Sequence, residues 1–512
     1  MKIFKVYNLI TIIIFLGVIF IPLFTVNTTS GRISTTENRA LASFPSFKMG
    51  DNRFNAKFIQ EFEKWFNDNM GLRDQLVKFN TIMQYKLFGQ LTKKDVIIGK
   101  DNWVFYVTDD IIKDFQNLNT PSDQQLLSWG NSLERVDNYL KERKIPFIMM
   151  LNPDKKTIYP EKYPATIIKN DRVSKTDILT NYLNKNTDID FFTPIDALLQ
   201  AKDKATVYSP RFDNAHWNSY GALIGYQELM NKVKGYFPNI KMLSWDDFQI
   251  DKYKRTEKVY NAVSFAETDY GFVLKNRRSA INMDGYFQNL NLVNNNVSYR
   301  YENEDKTLPK ALVFGDSYFY GFLIPDLAES FSEFTFIHSD NIDKIENFVG
   351  IYNPDIVIFE NVERMLDHSM EILGNSKESF VDYKNYVNLP TINNPTMWVD
   401  YSDNILVQHQ GTIKINNTSK VVNINGWAID SEGNNIAGDI YLKVGNKYYS
   451  GSYGLPRISV AEVLKNPSLT NSGFSFNIST SELKKERKVS FIIIANDKTY
   501  QYAPIEYKVE VN

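Results

Sequence analysis

Five short apolar runs sit beside stretches of helical periodicity: IPFIMML (Ile145 to Leu151), IDFFTPI (Ile189 to Ile195), ALVF (Ala311 to Phe314), FTFI ending at Ile337, and DIVIF (Asp355 to Phe359). A strand that is apolar at nearly every position has no face to offer water, so it must be covered on both sides. Helical spacing supplies the cover. Between Ser122 and Arg143 the apolar residues Leu126, Leu127, Leu133, Val136 and Leu140 recur along one face, and a more polar helix is expected over Lys175 to Asn184. This alternation predicts an α/β domain of three layers around a mostly parallel sheet. Between about residues 242 and 304 the texture turns to tyrosine and asparagine without helical period, which reads as an insertion at one sheet edge.

Two further regions flank that domain. Residues Val6 to Val26 form an apolar run close to the ~20 residues a spanning helix needs. Lys2 and Lys5 precede it, so the expected orientation leaves the rest of the chain outside the cytoplasm. A cleaved signal peptide is the rival reading, but no small-x-small site follows the run, and an uncleaved anchor over 6–26 is preferred. Downstream, the prolines and asparagines of NLPTINNP (Asn388 to Pro395) mark a linker. Beyond it GTIKINN, VVNINGWAID, DIYLKVGNKYYSG, GFSFNIS and KVSFIIIAND alternate between turns, predicting an all-β sandwich over 400–512.

Composition removes several functions. Lys and Arg number 58 against 60 Asp and Glu, so no positive field exists to hold a nucleic acid. The chain has no cysteine, which excludes thiol nucleophiles and thiolate-bound zinc. Its four histidines, His216, His338, His368 and His409, are not spaced as a metal-binding pair, and neither metal nor cofactor is expected.

Two segments can carry chemistry. In ALVFGDSYFYG (Ala311 to Gly321) a buried strand ends at Gly315 and the chain turns, putting Ser317 at the carboxyl edge of the sheet, where open α/β folds bind their ligands. A helix starting there would aim free N–H groups at an oxyanion on Ser317; alternatively Asp316 and Ser317 simply cap that helix. In RFDNAHWNSYGALIGYQELM (Arg211 to Met230) His216 stands in the turn before an amphipathic helix. A serine hydroxyl attacks only when an imidazole takes its proton, and the imidazole needs a carboxylate on its other nitrogen. Asp213, three residues earlier, is close enough to fold back on His216; a packed structural histidine beside Trp217 is the plain alternative.

Read in order, ENRALASFP (Glu37 to Pro45), GLRD (Gly71 to Asp74), VIIGKDNWVFY (Val96 to Tyr106), NPDKKTIYPEKYP (Asn152 to Pro164), DNAHWNSYGA (Asp213 to Ala222), FGDSY (Phe314 to Tyr318) and PDIVIFENVERML (Pro354 to Leu366) resemble the SGNH hydrolase-like acetyltransferases typified by the alginate O-acetylation proteins. The resemblance runs over roughly residues 37 to 385. It implies an SGNH-like domain over 37–388 with permuted motif order, the Asp/His segment preceding the Ser segment. It also implies a triad of Ser317 as nucleophile, His216 as base and an acid upstream of it. In the alginate proteins that acid stands two residues before the histidine, where this chain has Asn214; ordinary SGNH esterases place it three before, where Asp213 stands, and Asp213 is the expectation. Trp217, Tyr318 and Arg364 match family positions near the site and, with Asn214, are the expected oxyanion or substrate contacts, while Lys155 and Tyr159 are given a structural part.

The activity so implied is O-acetyl transfer to hydroxyls of a cell-surface or exopolysaccharide, by an extracytoplasmic domain of a single-pass protein of the cell membrane. A membrane-embedded partner protein would pass the acetyl groups outward. The sandwich looks like a carbohydrate-binding module, although GWAID and Arg457 could serve only its own folding. A polysaccharide acetylesterase with the same triad, and a non-catalytic glycan-binding or assembly protein, are the competing readings.

Overall fold

The computed structural model describes the chain except residues 1, 30, 32, 35–38, 50–52, 92, 260–262, 282–291, 376–382, 404, 409, 418–420 and 512. Glu37 and Asn38, two stretches of the expected insertion (260–262 and 282–291) and His409 therefore lie outside the described residues. A seven-stranded sheet organises the α/β domain. Its strands are β1 (Phe147–Asn152), β2 (Asp190–Phe192), β3 (Ser279–Ile281), β4 (Tyr299–Asn303), β5 (Lys310–Gly315), β6 (Glu333–His338) and β7 (Ile356–Val362), in the spatial order β2-β1-β7-β5-β6-β4-β3. The five apolar runs of the sequence are β1, β2, β5, β6 and β7, and all pair in parallel. The added strands β4 and β3 pair antiparallel at one edge.

Alternate residues of each strand enter different cores. Ile148 and Met150, Val313, Phe336 and Ile358 pack with Leu223, Tyr226 and Met230 of the helix Ser219–Tyr236. Met149 and Leu151, Leu312, Phe314 and Phe359 pack on the other face with Leu133 and Val136 of Asp123–Lys141 and Phe348 of Ile345–Tyr352. Both faces being dry, no polar alternation survives in the strands, as the runs required. The covering helices begin where their caps dictate. Ser122 and Gln125 form a reciprocal capping box ahead of Asp123–Lys141, and the Asn218 side chain accepts from Gly221 N at 2.9 Å at the head of Ser219–Tyr236. In that helix Gly225 is required by contact, because a Cβ there would stand 2.5 Å from the Trp217 ring.

The segment read as an insertion supplies more than edge strands. Residues Phe248–Val259 and Val263–Leu274 form a long antiparallel hairpin, whose inward residues Val263 and Phe265 pack with Val96 and Val104 of a second small hairpin, Val96–Ile98 and Val104–Tyr106. Downstream, two sheets face each other around one apolar core. Val399, Val422, Ile424, Phe474 and Phe476 come from one sheet, and Ile440, Leu442, Val489, Phe491 and Tyr507 from the other. The strand Thr396–Ser402 starts ahead of residue 400, directly after Pro395, with Met397 and Val399 facing inward. At the other end the helix Lys2–Phe24 contains the only described segment long and apolar enough to cross a membrane, Val6–Phe24, almost none of which is buried by protein.

Leu312 is fully buried at the centre of the sheet. Leu312→Ala is expected to lower unfolding free energy by about 2–5 kcal/mol, read from denaturant unfolding of the full chain in detergent.

Candidate active site

Strand β5 ends at Gly315, and Asp316 and Ser317 follow at the carboxyl edge between β7 and β6. A Cβ on Gly315 would come within 2.7 Å of the Glu360 carboxylate and 2.8 Å of the Phe336 ring, so only glycine fits as the chain turns. Asp316 is the cap. One of its oxygens accepts Tyr318 N at 2.9 Å and the other accepts Val362 N at 2.8 Å, which ties the turn to β7. Beneath it Glu360 accepts Asp316 N at 2.8 Å and the Asn152 amide at 2.7 Å. Burial pushes the carboxyls of Asp316 and Glu360 both up; Glu360 goes well above the usual range because Asp316 beside it adds repulsion. Capping and exposure are therefore divided between neighbours: Asp316 points inward and Ser317 outward.

His216 approaches from the other half of the domain. Its Nε2 lies 2.8 Å from Ser317 Oγ, and its Nδ1 lies 3.0 Å and 3.2 Å from the two oxygens of Asp213. Asp213 also accepts the backbone N–H groups of Ala215 and His216, both at 2.8 Å. Burial alone would raise its carboxyl, but the His216 ring and these donors bring it down to about 2, so His216 faces an ionised partner at neutral pH. Asn214, at the position the alginate pattern reserves for the acid, lines the cleft instead.

The loop carrying Asp213 and His216 has no regular structure, and buried groups hold it. Lys155, 1% exposed, donates from Nζ to Val104 O at 2.6 Å, Ser209 O at 2.5 Å, Pro210 O at 3.2 Å and Asp213 O at 2.9 Å. Burial pushes this amine down to about 7, against the charges of Asp213 and Glu267. Glu267, on the long hairpin, accepts from Ser209 Oγ at 2.6 Å and Arg211 N at 2.8 Å, and Ser209 Oγ accepts Asp213 N at 3.1 Å. The small hairpin adds Val104 N to Pro210 O at 2.8 Å and Tyr106 N to Asn214 O at 2.7 Å. Neither Glu267 nor the hairpin pairing stood out in the sequence. The inward spacing of Val263, Phe265 and Glu267, one polar residue on a period-2 apolar face, is a signal that went unused.

The remaining candidates take different places. Trp217 is fully buried and donates from its indole N–H to Tyr318 O at 3.2 Å. Tyr318 is also fully buried; its hydroxyl donates to Ala215 O at 2.8 Å and its backbone N–H is taken by Asp316. Neither lines the cleft. The helix expected to present an oxyanion site is a single turn, Ser317–Tyr320, which leaves the N–H of Ser317 as the donor of that turn without an acceptor among the described residues. Arg364 does line the cleft, its guanidinium paired with Asp154, which also holds Lys156 at 3.1 Å. Burial opposes the charge of Arg364, but Asp154 and Asp316 raise it above the ordinary guanidinium value. The cleft, about 660 Å³, opens to solvent over Ser317, His216, Asn214, Tyr106 and Arg364. A groove of about 840 Å³ between the α/β domain and the sandwich, lined by Arg143, Tyr236, Asn353 and Tyr448, contains none of these residues. Among the described residues no cluster of His, Asp and Glu suits a metal ion; His338 and His368 each contact a different oxygen of Asp340, both at 3.3 Å.

Residues 96–281 match the model of the SGNH hydrolase-like domain of acetyltransferase AlgX, a span that includes Asp213 and His216 and stops short of Ser317. The chain thus carries an SGNH-like α/β domain. No curated protein is detectably similar in sequence. Similar solved structures include PatB1 of Bacillus cereus with a sulfonyl adduct, at 18% identity and TM-score 0.41 over 53% of this chain and 95% of that one. The O-acetyltransferase domain of Pseudomonas putida AlgJ is similar at 15% identity and TM-score 0.33 over 55% and 99%. AlgX of Pseudomonas aeruginosa is similar at 11% identity and TM-score 0.36 over 81% and 90%.

Lys155→Met would leave several buried carbonyls without their donor, each a loss of about 1–3 kcal/mol. Denaturant unfolding of this variant should show a destabilisation of at least about 2 kcal/mol; an unchanged midpoint would mean that the ammonium does not hold the loop.

Proposed function

We propose, with the SGNH hydrolase-like acetyltransferase domain at residues 96–281 as premise, that the chain is a serine-dependent O-acetyltransferase acting on hydroxyls of an extracytoplasmic polysaccharide. The observation that carries this reading is the 2.8 Å contact between Ser317 Oγ and His216 Nε2, with Asp213 on the far nitrogen of the ring. Hydrogen-bond reach at an open cleft between residues 101 apart in sequence is what general-base activation of a serine requires.

In this mechanism His216 takes the Ser317 proton as Oγ attacks the carbonyl of an acetyl donor. The tetrahedral oxyanion is received by Ser317 N–H, with Asn214 and Arg364 flanking it as polar cleft residues. Collapse releases the donor's leaving group, protonated by His216, and leaves acetyl-Ser317. A sugar hydroxyl then gives its proton to His216 and takes the acetyl group, restoring Ser317. Asp213 keeps Nδ1–H directed and stabilises the imidazolium of each half-reaction. Trp217 and Tyr318 act from behind, as packing that fixes the ring, rather than as oxyanion donors.

The remaining parts of the reading follow the apolar helix. Val6–Phe24 is taken as an uncleaved anchor with the α/β domain outside the cytoplasm, and a membrane-embedded partner supplies acetyl groups across the bilayer. The sandwich is assigned to glycan binding.

The full chain, given an activated acetyl ester and a polyhydroxylated oligosaccharide, should transfer acetyl faster than it hydrolyses the ester, by mass spectrometry of the products. Ser317→Ala should bring both to the uncatalysed level, and Asp213→Asn should lower turnover by about 10⁴-fold. Hydrolysis without transfer would make the chain an acetylesterase; undiminished turnover in Ser317→Ala would remove the serine mechanism.

A further inference from the structure

The helix Arg73–Phe88 carries an apolar stripe that faces away from the protein. Leu72, Leu76, Phe79, Met83 and Leu87 follow one another at spacings of three and four residues, so they form one narrow stripe along the helix. All five are exposed, Phe79 by 61% and Leu87 by 62%. The opposite side is the one that meets the fold: Thr81 is buried, and the Tyr85 ring makes an edge contact with Phe265 of the long hairpin, centroids 5.7 Å apart. A contiguous exposed apolar stripe on an otherwise docked helix marks a surface that something apolar covers.

The chain itself indicates what covers it. The turn that starts this helix is bonded to the end of the apolar N-terminal helix: Gly71 N donates to Pro22 O at 3.1 Å and Asn27 N to Asn69 O at 2.9 Å. The approach is so close that a Cβ on Gly71 would fall 1.9 Å from Thr25 Oγ1. Ser34 adds a bond to Asp74 Oδ1 at 3.0 Å. Pro22 lies in the last turn of the segment that spans the bilayer in the anchor reading, so the stripe begins at the level where hydrocarbon gives way to headgroups. Beside the same turn, Phe44, Phe47, Phe54, Phe58, Phe62 and Trp65 cluster edge to face, with Phe44, Phe47 and Phe54 more than half exposed. Exposed aromatics next to a span suit the interfacial zone. The charges of the helix, Arg73, Lys78 and Lys86 against Asp74, suit anionic lipid.

We propose that Arg73–Phe88 lies in the outer lipid–water interface of the membrane crossed by the N-terminal helix, with the Leu76, Phe79, Met83 and Leu87 stripe in contact with acyl chains. The proposal rests on the anchor reading. It makes the first folded elements after the span a rigid seat for the α/β domain, through Tyr85 and the long hairpin that also braces the Asp213 loop.

The absence of cysteine allows single labels. Full-length Phe79→Cys, Leu87→Cys, Lys78→Cys and Ile13→Cys, each spin-labelled and reconstituted in phosphatidylcholine–phosphatidylglycerol vesicles, report collisions with dissolved oxygen and with a water-soluble nickel chelate. Labels at Phe79 and Leu87 should lose nickel access as the Ile13 label does, while Lys78, on the other side of the helix, keeps it. Nickel reaching Phe79 and Leu87 as freely as Lys78, with Ile13 shielded, would overturn the proposal while sparing the anchor, and would assign the stripe to a protein partner. Nickel reaching Ile13 as well would overturn the anchor reading and the proposal with it.

Discussion

An irregular loop has to hold an imidazole within reach of a serine 101 residues further along the chain, and buried ions make that possible. The Lys155 ammonium gathers carbonyls from both sides of the loop, and Glu267 gathers its N–H and hydroxyl groups. Together with the Ser209 hydroxyl they give partners to the carbonyls of Ser209, Pro210 and Asp213 and to the N–H groups of Arg211, Phe212 and Asp213 without helix or sheet, a condition for an irregular segment to lie against a buried core. The position of His216 is thus set from behind, and the cleft side of the ring is left to Ser317. The serine is fixed in the complementary way, since Asp316 locks the turn to β7 and Glu360 locks Asp316.

Much of this was legible from the residues. The parallel core strands announced themselves because apolar residues at consecutive positions can only be covered on both faces, and Ser317 and His216 stood at the ends of segments whose turns were readable. The helix after Ser317 stops after a single turn at its cap residue Gly321, a stop signal that the reading of this segment as a helix start did not use. The long hairpin was equally obscure. Its alternation is diluted by tyrosines and charged residues on the solvent face, so what it contributes, Glu267 under the loop that carries Asp213 and His216, appears only when distant segments are brought together. Trp217 and Tyr318 show the converse: both flank candidate residues in sequence, yet their side chains point into the core and bind backbone carbonyls there.

Charge is distributed by task. Carboxyls beneath the site, Asp316 and Glu360, are buried, and burial raises both, Glu360 further because Asp316 stands beside it. Asp213, which faces the imidazole, is held ionised, and Arg364 brings its positive charge to the cleft wall through Asp154. The charges around the cleft are thus set group by group, each by its own burial and partners.

In the proposed mechanism Ser317 is a nucleophile because His216 and Asp213 make it one. Incubating the full chain with a sulfonyl fluoride, a reagent that captures activated serine hydroxyls, and mapping the adduct by peptide mass spectrometry tests it directly. One adduct is expected, on the peptide bearing Ser317, and it is lost in His216→Ala. An unmodified Ser317, or labelling there that persists without the imidazole, would contradict that mechanism.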